Sequence, residues 1–134
     1  MLSHVCVGVN EFDRAVAFYS ALMTLLDHEL KFCEREQAQP WAGWRAKDQP
    51  RPLFIVGGPY DGNAAQVGNG QMVAFLAPDR SVVDAAYETA LANGGTDEGA
   101  PGLRPHYHPN YYGAYFRDPE GNKICVCCHD PASE

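Results

Sequence analysis

The chain has 134 residues, 46% hydrophobic, 20% charged and 11% aromatic, the make-up of one ordinary globular domain or of two small modules sharing a core. Seventeen acidic residues against ten basic ones leave a net charge of −7, which excludes a basic footprint for nucleic acid or an anionic membrane surface. No apolar run reaches the ~18 residues of a membrane-spanning helix, and the first residues carry no leader-like pattern. Five cysteines, an odd number, point to free thiols in a cytoplasmic protein.

Residues 3–9 alternate as a strand, with His4, Cys6 and Gly8 on one face and Val5, Val7 and Val9 on the other. Asn10 is placed to cap a helix with Asp13 in its first turn. That helix runs to about Leu26, and Phe12, Val16, Tyr19 and Met23 form its apolar stripe. His28–Arg35 and Trp41–Ala46 follow as strands, and Pro52–Gly57 reads as a short buried strand. Trp41 and Trp44, three apart, face opposite sides of their strand, one toward a ligand and one beneath the helix; Trp44 is assigned the ligand side. Module one, over about 1–58, is therefore β-α-β-β-β.

The stretch of about 59–69 is rich in Gly, Asn and Asp and reads as a linker. Gln71–Ala77 resumes as a strand. Asp79 caps a second helix through Val83, Tyr87 and Leu91, which Gly94-Gly95 stops. Thr96–Arg104 is a weak strand interrupted at Pro101-Gly102. Tyr111–Arg117 and Lys123–Cys128 form a hairpin around Asp118-Pro119-Glu120-Gly121-Asn122, where Asp118 and Asn122 are turn-builders. Module two, over about 70–130, repeats β-α-β-β-β. At an offset of 68, His4 falls on Met72, Tyr19 on Tyr87 and Ile55-Val56 on Lys123-Ile124. The expected fold class is α+β, two βαβββ modules forming an open, curved mixed sheet.

The strand opening with His4, the helix containing Arg14-Ala15-Val16-Ala17-Phe18-Tyr19, the Pro101-Gly102-Leu103-Arg104 segment and the Asp118-Pro119-Glu120-Gly121-Asn122 turn resemble the vicinal oxygen chelate superfamily. That group includes glyoxalase I, extradiol dioxygenases and bleomycin-resistance proteins. The resemblance covers almost the whole chain. It implies a trough lined by the strands, with the helices outside, and a homodimer. In catalytic members it also implies one divalent metal (Zn, Mn, Fe or Ni) held from the first and last strands of each module. Of those positions His4 matches; the second is Met72, the last-strand position is Cys125, and the fourth falls near Val56 or Gly57. His4 and Cys125 are the candidate metal ligands, with Cys127 on the same strand face as Cys125.

Arg104, Tyr107, Tyr111 and Tyr112 form the candidate binding constellation, since an arginine beside several tyrosines can hold an anionic or planar molecule. His106 and His108 share a Pro-bounded loop and are candidates for ligand contact or acid/base work, His106 being counted with the binding residues. Function divides into two classes. One is a binder that holds a small molecule in an aromatic trough without a full metal site. The other is a metal-dependent lyase, isomerase or dioxygenase acting on vicinal oxygens.

Overall fold

In the computed structural model, which describes residues 1–132, eight strands and two helices follow in two repeats. The first unit, Met1–Asn69, holds β1 (His4–Gly8), α1 (Phe12–Leu25), β2 (His28–Glu34), β3 (Trp41–Ala46) and β4 (Leu53–Gly57). The second unit, from Gly70 on, holds β5 (Val73–Leu76), α2 (Arg80–Ala92), β6 (Thr96–Leu103), β7 (Tyr112–Arg117) and β8 (Lys123–Cys128). The sheets have the orders β1-β4-β3-β2 and β5-β8-β7-β6. In each, the first and last strands of the repeat lie side by side and parallel, and the other neighbours are antiparallel. The α+β class and the βαβββ repeat read from the sequence are the observed ones.

The first unit's core is the seam between α1 and its sheet. Ala15, Phe18, Tyr19, Leu22 and Met23 are buried, and Tyr19 packs between Phe54 and Trp44 at ring separations of 4.9 and 6.3 Å. The stripe is thus rotated from the one expected. Phe12 instead lies half-exposed beneath the Arg35 guanidinium, 5.6 Å from its ring.

Asn10 does not cap α1. Glu11 is at the N-cap position and makes no side-chain cap bond there, because the Asn10 amide is committed to the backbone of Ala65. Its Oδ1 accepts from Ala65 N–H at 2.7 Å and its Nδ2 donates to Ala65 C=O at 3.2 Å. The expected cap is therefore a tether for the segment after β4. Asp13, expected to support the cap, pairs with Arg35 at 2.8 Å.

In the second unit Asp79 caps α2 as expected, its Oδ1 accepting from Val82 N–H at 3.1 Å. Val83, Ala86, Tyr87 and Ala90 are buried against the sheet. The β7–β8 turn is built around Asp118, which is 2% exposed. Its carboxylate accepts from the backbone N–H of Glu120 and Asn122, both at 2.9 Å, and from Asn122 Nδ2 at 3.0 Å. Gly121 takes φ +101°, a conformation that favours glycine.

The repeat offset is not constant. Cys6 pairs with Ile55 in the first sheet and Ala74 with Cys125 in the second. The offset is 68 at the first strands and 70 at the last, so the counterpart of Cys125 is Ile55 rather than Val56 or Gly57.

Candidate functional site

α1 covers one face of the first sheet and leaves the other free of helix. Alternation along β1 brings His4, Cys6 and Gly8 to that free face, with Ile55 beside Cys6 and Gly57 beside Gly8 in the parallel ladder. Trp41 and Gly43 come up from β3 opposite Gly57 and Ile55. Gly43 is where the ring of Phe32 crosses the sheet: a Cβ at residue 43 would stand 2.5 Å from Phe32 Cε1. Phe32 in turn packs on Trp41 at 4.6 Å, and Trp41 Nε1 donates to Glu34 Oε2 at 2.9 Å.

Cys6, Ile55 and Gly57 floor a cleft of about 710 Å³ walled by Trp41, Pro59 and Tyr60. Gln37, whose Nε2 donates to Glu34 Oε2, and Gln39 also line it. This is a volume suited to a small organic molecule, with apolar walls and a few orienting amides.

Trp44, assigned the ligand side from the sequence, is on the other face. It is 2% exposed, beneath α1 against Tyr19 and Phe54. Trp41, 40% exposed, is the tryptophan that lines the cleft.

On the second sheet α2 covers the side carrying Ala114, Phe116, Ile124 and Val126. Tyr112 also turns that way. Its hydroxyl donates to Asp84 of α2 at 2.6 Å, and Arg80 lies 5.2 Å over its ring. The opposite face carries Gly113 and Tyr115, paired with Cys127 and Cys125. Tyr111 folds over it, so that a Cβ at Gly113 would stand 2.9 Å from the Tyr111 ring. The Tyr111 and Tyr115 hydroxyls are 2.9 Å apart, and Tyr111 Oη is 3.6 Å from Cys125 Sγ.

Around this centre Tyr107 meets Tyr111 edge-on at 4.9 Å and His106 packs on Tyr107 at 4.2 Å. Arg104 donates to the carbonyls of Gly102 and Ala100, both at 2.9 Å, and lies 5.5 Å over Tyr115. Arg104, Tyr107, Tyr111 and His106 thus form one aromatic-basic surface, and Tyr112 is not part of it. Tyr115, Cys127 and His129 belong to it and were not singled out as binding residues. Strand alternation was the available signal: counting by two from Gly113 selects Tyr115 and rejects Tyr112.

The electrostatics of this surface are set by burial and sulfur. Burial, with the bond to Tyr115, pushes the Tyr111 hydroxyl well above its ordinary range. Cys125 is pushed up by its hydrogen bond to Cys127 and by burial. Cys127 is brought down to about 6, first by the bond from Cys125 and then by Tyr111 and His129, with burial opposing.

The model of the Glyoxalase/Bleomycin resistance protein/Dioxygenase superfamily matches residues 1–126. A glyoxalase/bleomycin resistance protein from Albidiferax ferrireducens T118 is 36% identical over 96% of this chain and 98% of its own, with a TM-score of 0.82. The chain belongs to that superfamily. Two more distant structures share the fold. A family enzyme from Burkholderia phytofirmans PsJN is 17% identical, with 96% and 98% of the two chains covered and a TM-score of 0.68. The E144Q glyoxalase I mutant from Zea mays is 20% identical over 94% of this chain and 46% of its own, with a TM-score of 0.69. No curated protein matches the sequence.

Superfamily membership raises the question of a metal, and the residues here do not fit one. His4 is exposed on β1, its Nδ1 2.9 Å from Ser3 Oγ. The equivalent ladder position to Cys125 is Ile55, which has no donor atom, and Met72 stands outside β5 and 44% exposed. Cys125 is a buried thiol whose Sγ lies 3.6 Å from Tyr111 Oη. Among the described residues no group of three or more His, Cys, Asp or Glu side chains is placed to hold a metal ion.

Proposed function

We propose that this superfamily member binds a small, largely apolar molecule in the cleft on the first sheet, without a metal ion. The observation that carries the reading is the cleft itself: about 710 Å³, with Ile55 in its floor at a ligand position of the catalytic pattern and Trp41 in its wall. An aromatic wall offers stacking and apolar burial, and the Gln37 and Gln39 amides offer orientation. On the second unit, the aromatic-basic surface of Arg104, Tyr107, Tyr111 and His106 is read by itself as a contact for an anionic or planar molecule, which the guanidinium suits. The five free thiols support a reducing, cytoplasmic setting, and the family resemblance supports a homodimer.

The test is ligand screening on chelator-treated protein by thermal shift, followed by tryptophan fluorescence. Anything that binds only the native state raises the melting temperature. A true cleft ligand quenches Trp41 and leaves the buried Trp44 unchanged, so quenching should vanish in Trp41→Phe. Ligands that stabilise only after Zn or Mn is added would overturn the reading in favour of the metal-dependent enzyme.

A further inference from the structure

Three side chains of the second unit are linked in series. Cys127 Sγ lies 3.7 Å from His129 Nε2, and His129 Nδ1 lies 2.8 Å from His108 Nε2. His108 Nδ1 accepts a hydrogen bond from the Asn110 backbone N–H at 3.2 Å. That last contact sets the tautomers. A backbone N–H only donates, so His108 Nδ1 is bare and its ring proton is on Nε2. His108 then donates to His129 Nδ1, which leaves the His129 proton on Nε2, aimed at the sulfur. An imidazole N–H aimed at a sulfur, with a second residue fixing that imidazole, favours the thiolate, which is the nucleophilic form of the thiol.

We propose that Cys127 is a nucleophilic thiol that adds to small α,β-unsaturated carbonyl compounds, with His129 as its proton-bearing partner and His108 as the residue that positions His129. The site is built wholly from second-unit residues; it borders the aromatic-basic surface and uses none of the residues that line the cleft of the first unit.

The surroundings suit the role. In the ladders Cys127 is flanked by Leu76 of β5 and Gly113 of β7, neither of which is charged. Leu76 is 69% exposed and His129 is exposed, so Cys127, itself 5% exposed, lies just below an open rim. The titratable groups facing it are Cys125 on its own strand, Tyr111 from the segment before β7, and His129 with His108 behind it. Cys125 donates a hydrogen bond to Cys127 from the same strand face, adding to the hold of His129 on that sulfur. Cys128 takes no part, because it points to the α2 side of the strand.

The step balances without a co-reactant. A sulfur lone pair forms a C–S bond to the β-carbon, and the C=C π pair moves to give an enolate. The thiol proton leaves to solvent, the His129 Nε2–H holds the resulting thiolate as a hydrogen-bond donor, and a solvent proton ends on the α-carbon. Sulfur and hydrogen have added across the double bond, and nothing is oxidised or released.

The test uses the full chain with the more accessible thiols removed by Cys6→Ser and Cys33→Ser, and N-ethylmaleimide as the probe at pH 6. Adducts are located by intact mass and peptide mapping. An ordinary thiol with a pKa of ~8.5 is almost wholly protonated at pH 6. With the His129 Nε2–H on its sulfur, Cys127 should react several-fold faster in the folded protein than in the urea-unfolded chain. His129→Ala should move the midpoint of the pH–rate profile upward. His108→Phe should slow labelling, and His108→Gln, whose amide still donates to His129 Nδ1, should restore it. Circular dichroism confirms that each variant is folded. Slower labelling of Cys127 in the folded than in the unfolded protein, an adduct confined to Cys125 or Cys128, or a pH–rate profile unmoved by His129→Ala overturns the proposal.

Discussion

Gly57 stands directly opposite Trp41 in the β3–β4 ladder, and a Cβ added to it would lie 2.9 Å from Trp41 Cβ and 3.0 Å from the Pro40 carbonyl. Neither of these is the far end of a flexible side chain that could swing away. The absence of a side chain at residue 57 is what lets the indole wall meet the floor of the cleft. Gly57→Ala should therefore destabilise the fold by about 1–3 kcal/mol through overpacking and shift the emission of Trp41. Urea denaturation gives the first quantity and steady-state fluorescence the second.

The two tryptophans should separate stability from binding. Trp44 fills the seam under α1, so Trp44→Ala should cost about 3–5 kcal/mol. Trp41 is 40% exposed, and Trp41→Ala should cost far less in a urea melt while abolishing affinity for any ligand found by the screen. Equal losses of stability from the two variants would contradict the placement of the cleft.

Asp118 gathers three N–H donors in the β7–β8 turn. Removing a charged acceptor from a buried set of donors leaves them unsatisfied, and each such bond is worth roughly 1.5–3 kcal/mol. Asp118→Ala should lower the urea midpoint markedly, and Asp118→Asn, which keeps one acceptor oxygen, should recover part of it.

Asp79 supplies a pH signature. Its carboxylate is held below its ordinary range by the Ser81 hydroxyl and then by the Val82 N–H of the α2 cap. A depressed folded-state value means the contribution is present above the ordinary aspartate range and is lost as pH falls through the depressed value. Stability measured against pH should accordingly fall less steeply on the acid side for Asp79→Asn than for the native chain.

The guanidinium of Arg104 is held over Tyr115 by two backbone carbonyls, so its position does not depend on a ligand. Arg104→Met should weaken binding of an anionic ligand and spare a neutral one. The comparison is made by calorimetric titration of the two ligand types, and equal affinities in native and variant protein would remove Arg104 from the site.

The strands and helices could be read from the sequence because their patterns are local. Alternation located β1, a short continuous apolar run located β4, and Asp79 with Gly94-Gly95 bracketed α2. What failed needed partners far along the chain. Asn10 has the chemistry of a cap, and only the fold brings Ala65 within 3.2 Å to claim it. Alternation showed that Trp41 and Trp44 point apart, but which face α1 would cover is a tertiary fact. The net two-residue growth of the repeat offset arises in the loops and in the register shifts within β6, which no sequence pattern counts, and it moved the fourth ligand position to Ile55. Cys127, His129 and His108 are joined by side-chain geometry across 21 residues of sequence, which no spacing rule announces.

The most direct measurement is elemental analysis of purified protein, followed by titration with Mn, Fe, Ni and Zn and a repeat of ligand binding in the presence of chelator. The account predicts no stoichiometric metal, no tight uptake of any of the four ions, and ligand affinity unchanged by chelator. One tightly held equivalent per chain, with ligand binding lost on its removal, would contradict it.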